Sequence, residues 1–193
     1  MSAIDDIVTA CRIELADCPD FVIKAEIPRV ARTICEETNM WSEDLPELTL
    51  TDDAVLYALT LPEDTGLVRV LSLRDPDNTE VMITGLSYVY DEAEGKLFVA
   101  TDGRSGDTGV VPRVALYPVT IDVTPECISG ECRDALEYGV MSRLFIRQNM
   151  AWTNPDLAVY YKGLFRSEIA KKKIKLARGS RVGSLTIAAR RFV

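Results

Sequence analysis

The sequence predicts an α+β protein: a helical bundle with an inserted antiparallel β-sheet or small sandwich and an extended C-terminal arm. Three observations carry that prediction. Apolar residues recur at three- and four-residue steps before residue 44 and again over 124–178, while between those stretches the period is two. Polar clusters rich in Gly, Asp and Pro punctuate the middle stretch. After Arg178 both periods stop. The expected organisation is residues 1–44 and 121–178 as the helical bundle, 45–120 as the inserted β domain and 179–193 as the arm.

The first helix is expected over 3–15, with Ile4, Ile7, Val8, Cys11 and Leu15 on one side. A second runs from about Pro19 to Asn39, carrying Ile27, Ala31, Ile34, Thr38 and Trp41 at helical spacing, and Pro28 should remove one backbone bond and kink it. Trp41 reads as a core anchor at the helix end. Strands are expected at 47–50, 55–59, 67–73, 80–83, 88–90, 96–99 and 113–117, separated by turns at 62–66, 75–78, 91–95 and 101–109.

Two tandem helices then fill 124–178. Thr124 before Pro125 and Asn154 before Pro155 are each a cap residue followed by proline in the first turn. The first helix carries Ile128, Cys132, Ala135, Gly139, Ser142 and Ile146 in one stripe, widened by Leu136, Val140 and Leu144. Its small edge of Ala, Gly and Ser admits a close partner. The second helix answers with Ala158, Tyr161, Phe165, Ile169 and Leu176, so the pair is expected to form an antiparallel hairpin.

Composition limits the function classes. The chain has 193 residues, 47% of them hydrophobic and 27% charged, enough for one core or for one domain carrying a smaller insert. No apolar run reaches the roughly 18 residues that span a bilayer, and the acidic start from Met1 to Leu15 is unlike a secretory leader. A soluble chain made in a cytoplasm is therefore expected. Cys11, Cys18, Cys35, Cys127 and Cys132 are odd in number with no C-x-x-C pairing, which suggests reduced thiols used as small core residues. Histidine is absent, removing the commonest general base and zinc ligand together with every Ser-His or Cys-His nucleophile. The glycine-rich stretch 103–109 lacks a G-x-x-x-x-G-K-[ST] pattern. Asp52-Asp53, Glu36-Glu37 and Asp91-Glu92 sit where solvated turns or helix ends are expected. No enzyme activity, cofactor or metal is predicted.

Charge is polarised along the chain. From Lys162 onward ten basic residues face Glu168 alone, giving +9 and leaving −17 on the rest of a chain whose net charge is −8. That division points to a charged partner or to head-to-tail contact between copies. Lys171-Lys172-Lys173 reads as a solvated helix face that could also meet phosphates. Residues 179–193 combine glycines, arginines and an apolar aromatic end; a frayed terminus, a strand of its own sheet and an arm ordering on a neighbour all fit.

The element order, with Ala31-Arg32-Thr33-Ile34-Cys35-Glu36-Glu37-Thr38-Asn39-Met40-Trp41 before the sheet, resembles the head-to-tail adaptor (tail tubular protein A type) of short-tailed bacteriophages. The echoes after the sheet are Gly139-Val140-Met141-Ser142-Arg143-Leu144 and Trp152-Thr153-Asn154-Pro155-Asp156-Leu157-Ala158-Val159-Tyr160-Tyr161. The likeness spans nearly the whole chain and its motifs are packing motifs. It implies a structural virion protein made in the host cytoplasm and placed at the head-to-tail junction. There a ring, typically of twelve copies, would dock under the portal protein, meet the tail tube or nozzle protein below and continue the channel. Genomic DNA would pass through without sequence-specific binding, and no membrane is involved. In that family the C-terminal arm reaches the portal, and the matching residues here are Arg178, Arg181, Leu185, Ile187, Arg190, Arg191, Phe192 and Val193. Two other classes stay open. A carbohydrate- or receptor-binding virion module could use Tyr57, Tyr88, Tyr90 and Tyr117 of the β domain as stacking surfaces, which glycan binding by 45–120 would reveal. An enzyme would need carboxylate or lysine chemistry, which turnover on a substrate panel would reveal.

Overall fold

The amphipathic periods condense as helices packed beside antiparallel strands in a computed structural model that describes residues 3–50, 56–77, 87–91, 96–100 and 108–178. In chain order the elements are α1 (Ala3–Glu14), α2 (Asp20–Thr38), β1 (Ser42–Asp44), β2 (Leu48–Leu50), β3 (Leu56–Ala58), β4 (Thr65–Arg74), β5 (Ser87–Asp91), β6 (Lys96–Ala100), β7 (Thr108–Pro118), α3 (Glu126–Ser129), α4 (Arg133–Phe145) and α5 (Pro155–Arg178). The protein is α+β, with antiparallel pairing throughout the described strands.

Helix α1 buries Ile7, Val8 and Cys11, carries Asp5 and Asp6 in its first turn and Arg12 in its last, and so sets its charges with the helix dipole. A closed turn follows, in which the Cys18 amide donates to the Leu15 carbonyl at 2.9 Å. Helix α2 is continuous through Pro28. It ends at Asn39, whose left-handed φ of 51° lets its amide donate to the Cys35 carbonyl at 2.8 Å, a conformation asparagine tolerates better than most residues.

The chain then turns directly into the sheet. The Leu116 amide donates to the Trp41 carbonyl, and β1 pairs with β7 from Ser42 to Asp44, so strand pairing starts ahead of residue 45. Strand β7 is the hub, hydrogen-bonded to β1, β2 and β4. Two register shifts along β4 supply local twist. A second sheet, in the order β3-β6-β5, packs on the first: Leu97 and Val99 of β6 share a core with Leu50, Leu73 and Val110. The Tyr88 hydroxyl donates across this interface to the Leu71 carbonyl at 3.0 Å. The expected strand at 80–83 and most of the turn at 101–109 lie outside the described residues.

Sheet and bundle meet along α2 and β7. Trp41 is shared between the helical core and the Leu45–Val114–Leu116 cluster, the Arg32 guanidinium sits 4.4 Å from the centre of the Tyr117 ring, and Arg69 donates to the Glu36 carbonyl.

The hairpin departs from expectation at its start. One helix from residue 124 is replaced by the short α3, a break at 130–132 and then α4. Gly130 is unfavourable inside a helix by about 1 kcal/mol relative to alanine; here its amide donates to the Glu126 carbonyl, a Cβ would lie 2.9 Å from that oxygen, and Ile128 and Cys132 both stay in the core. Thr124 does not cap: its amide closes a turn onto the Ile121 carbonyl, Pro125 takes the cap position, and the Thr124 hydroxyl is buried with no partner among the described residues. Two stripe positions also change. Helix α4 stops at Phe145, which fills the core that Ile146 was expected to enter, and Ile146 and Leu176 are exposed.

The second cap forms as expected. The Asn154 side-chain oxygen accepts from the Leu157 amide at 3.2 Å, and the Asn154 amide donates to the Phe145 carbonyl, tying the start of α5 to the end of α4. Asn154→Ala is expected to cost about 1 kcal/mol, read as a lowered urea midpoint at unchanged slope; an unshifted midpoint would refute the cap.

Candidate interaction surface

Helix α5 is the cationic element. Lys171 pairs with Glu168 at 2.6 Å, Lys175 with Glu131 at 3.2 Å and Lys173 with Glu37 at the end of α2. These pairs are exposed and each contributes only about 0–1 kcal/mol. Lys162, Arg166, Lys172 and Arg178 form no ion pair among the described residues, so the helix keeps positive charge to offer elsewhere. Of the residues expected to reach the portal, Arg178 is described, exposed at the end of α5. Arg181, Leu185, Ile187, Arg190, Arg191, Phe192 and Val193 lie outside the described residues.

A groove runs along the face where α5 crosses α2 and α4. Two adjoining cavities of about 230 and 410 Å³ share Thr33, Lys162 and Phe165. Val30, Gly139, Phe165 and Ile169 supply an apolar floor, while Arg143, Lys162, Arg166 and Lys173 stand around it. The floor exists because Gly139 lets the helices close up. The expected small edge of the hairpin is thus a packing device and also a wall of this groove.

Beside the groove lies a feature that sequence reasoning missed. Glu26 is 2% exposed and accepts from Arg29 at 2.8 Å, from Arg143 at 2.8 Å and from Arg147, joining α2 to the end of α4 and the following turn. Burial pushes its carboxyl up, but the hydrogen bond and charge of Arg143, and then those of Arg147, outweigh that and hold it below the usual carboxylate range. The sequence does contain a signal. Glu26 stands three residues after Ile23 and four before Val30, a carboxylate on the buried stripe of α2.

The cysteines are free, four of them buried and Cys127 partly so. Burial is the main cause that pushes the Cys11 and Cys35 thiols up to about 12 and Cys132 to about 11. Such thiols stay protonated at neutral pH and are poor nucleophiles. Glu36 and Glu37 are ion-paired with Arg32 and Lys173, whereas Asp52, Asp53 and Glu92 lie outside the described residues. Among the described residues no cluster of three acidic or thiol side chains is placed to hold a metal ion, and no helix is long and apolar enough to cross a membrane. The tyrosines expected to form a stacking platform are divided: Tyr57, Tyr88 and Tyr90 pack on the inter-sheet core, and Tyr117 lies against the helical core under Arg32.

Comparison of the chain with models of protein families and with curated proteins gives no match.

Proposed function

We propose that the chain is a structural virion protein, a head-to-tail adaptor that forms a dodecameric ring between portal and tail and continues the DNA channel. The observation that supports this reading best is the arrangement itself. A helix pair leads into antiparallel strands and then into a helical hairpin, whose last helix is cationic on an otherwise acidic chain and runs straight into residues 179–193. Such an element suits attachment: charge steers the encounter, and the apolar end of the arm holds. The acidic body would let DNA slide past without sticking.

The test is co-sedimentation of a portal ring with the full chain, with a chain truncated after Arg178, and with Phe192→Ala and Arg181→Ala, at low and raised salt. Truncation is expected to abolish capture. Burying a phenylalanine is worth roughly 1.5–3 kcal/mol and an exposed ion pair about 0–1, so Phe192→Ala should weaken capture more than Arg181→Ala. Undiminished capture of the truncated chain would refute the role of the arm.

A further inference from the structure

The groove has a counterpart on the same chain. Just after the turn between α1 and α2, Phe21 in the first turn of α2 is 73% exposed. The turn residues Asp17 and Asp20 stand close to Phe21 in sequence, and an Arg12–Asp20 pair at 3.3 Å fixes the end of α1 against the start of α2. Asp17 forms no ion pair among the described residues. The turn is held rigid by Pro19 and by the Cys18-to-Leu15 hydrogen bond. It therefore presents an aromatic knob with carboxylates beside it.

The groove is the complement: an apolar floor under Lys162 and Arg166, the two rim cations without an ion pair among the described residues. From Lys162 to Lys173 it extends roughly 16 Å along α5 at 1.5 Å per residue, long enough for a helical turn and its flanks. Knob and groove cannot meet within one molecule. Phe21 and Val30 are both on α2, and at about 100° per residue they stand roughly 180° apart around that helix.

We propose that the Phe21 knob of one copy seats in the α2–α4–α5 groove of the next, with Asp17 and Asp20 facing Lys162 and Arg166. The contact joins two different surfaces, so it is heterologous and propagates head to tail, closing into a ring where the rotation between copies permits. Its source of specificity is the charge division of the chain, acidic toward the start and basic along α5. The inference rests on reading the chain as a ring subunit and names the surface through which the copies meet.

The experiment is sedimentation velocity of the full chain over a concentration series, at low and raised salt. Wild type is expected to associate reversibly, more weakly in salt. Phe21→Ser and the pair Lys162→Glu, Arg166→Glu change exposed side chains only, so folding is preserved, and each should weaken self-association by roughly tenfold or more. A mixture of the two variants is the decisive arm. Each keeps one intact surface, so the mixture should form heterodimers and nothing longer. Wild-type association by Phe21→Ser, a mixture without heterodimer, or a wild type that stays monomeric throughout would each overturn the contact. Portal capture separates the two proposals: full capture of Phe21→Ser overturns this contact and leaves the adaptor reading standing, whereas heterodimers without portal capture of wild type overturn the adaptor reading and leave the contact.

Discussion

Glu26→Ala is expected to lower the unfolding free energy by about 2–3 kcal/mol at neutral pH. Removing one partner of a fully buried ion pair costs about 3–5 kcal/mol because the other charge is stranded. Here the carboxylate is buried, but Arg29, Arg143 and Arg147 are each about one-third exposed or more and can turn partly to water, which places the loss at the lower end. The same site sets a pH dependence. The folded carboxyl is held below its usual value, so its contribution is fully present above the unfolded carboxylate pKa of about 4.3 and is lost as pH falls through the lower folded value. Glu26→Gln keeps the shape and removes the titration. Urea unfolding of wild type and Glu26→Gln, at neutral pH and near pH 3, should show the gap between them narrowing in acid. A gap of constant size would show that the three arginines draw no stability from the charge.

How much of this was legible in the sequence depended on how local the cause was. The periods that distinguish α1, α2, α4 and α5 from the strands are local, and the elements fall close to where the alternation placed them. Asn154 was legible because a cap acts within three residues of itself. Thr124 was not, because the same Thr-Pro spelling serves equally well in the turn that precedes a helix, and the hydrogen bond onto Ile121 decides between them. The break at Gly130 leaves Ile128 of α3 and Cys132 at the start of α4 both in the core, a tertiary condition that a stripe count does not carry. The groove is likewise a product of three helices meeting. Lys162, Arg166 and Lys173 share one face of α5 by spacing alone, but the apolar floor joins Phe165 and Ile169 of that helix to Val30 of α2 and Gly139 of α4. Glu26 shows the opposite case, a local signal overshadowed by its surroundings: a single acid in an apolar stripe looks like an exposed edge until arginines from 117 and 121 residues away converge on it.

Gly139→Val is expected to destabilise the bundle by about 3 kcal/mol, the upper part of the range for overpacking a well-filled core. An added Cβ would lie 2.4 Å from the Val30 Cγ1 and 3.1 Å from the Phe165 Cδ2, so even alanine forces a neighbour to move. Val30 is buried on a helix and, being β-branched, has one strongly preferred rotamer there, which leaves displacement of α2 from α4 as the main relief. Alanine at 139 gains about 1 kcal/mol of helix propensity against that strain, so Gly139→Ala should cost less than Gly139→Val. The cause can be isolated by pairing. Val30→Ala removes the methyl that a Cβ at 139 would strike, so Gly139→Ala combined with Val30→Ala should be less destabilised than the sum of the single variants by about 0.5–3 kcal/mol, the usual coupling between residues in contact. Strict additivity in a denaturant-unfolding cycle would mean that the close approach at Gly139 is relieved elsewhere, by movement of Phe165 and α5. In that case the groove floor, which contains both Val30 and Phe165, should widen on the α5 side.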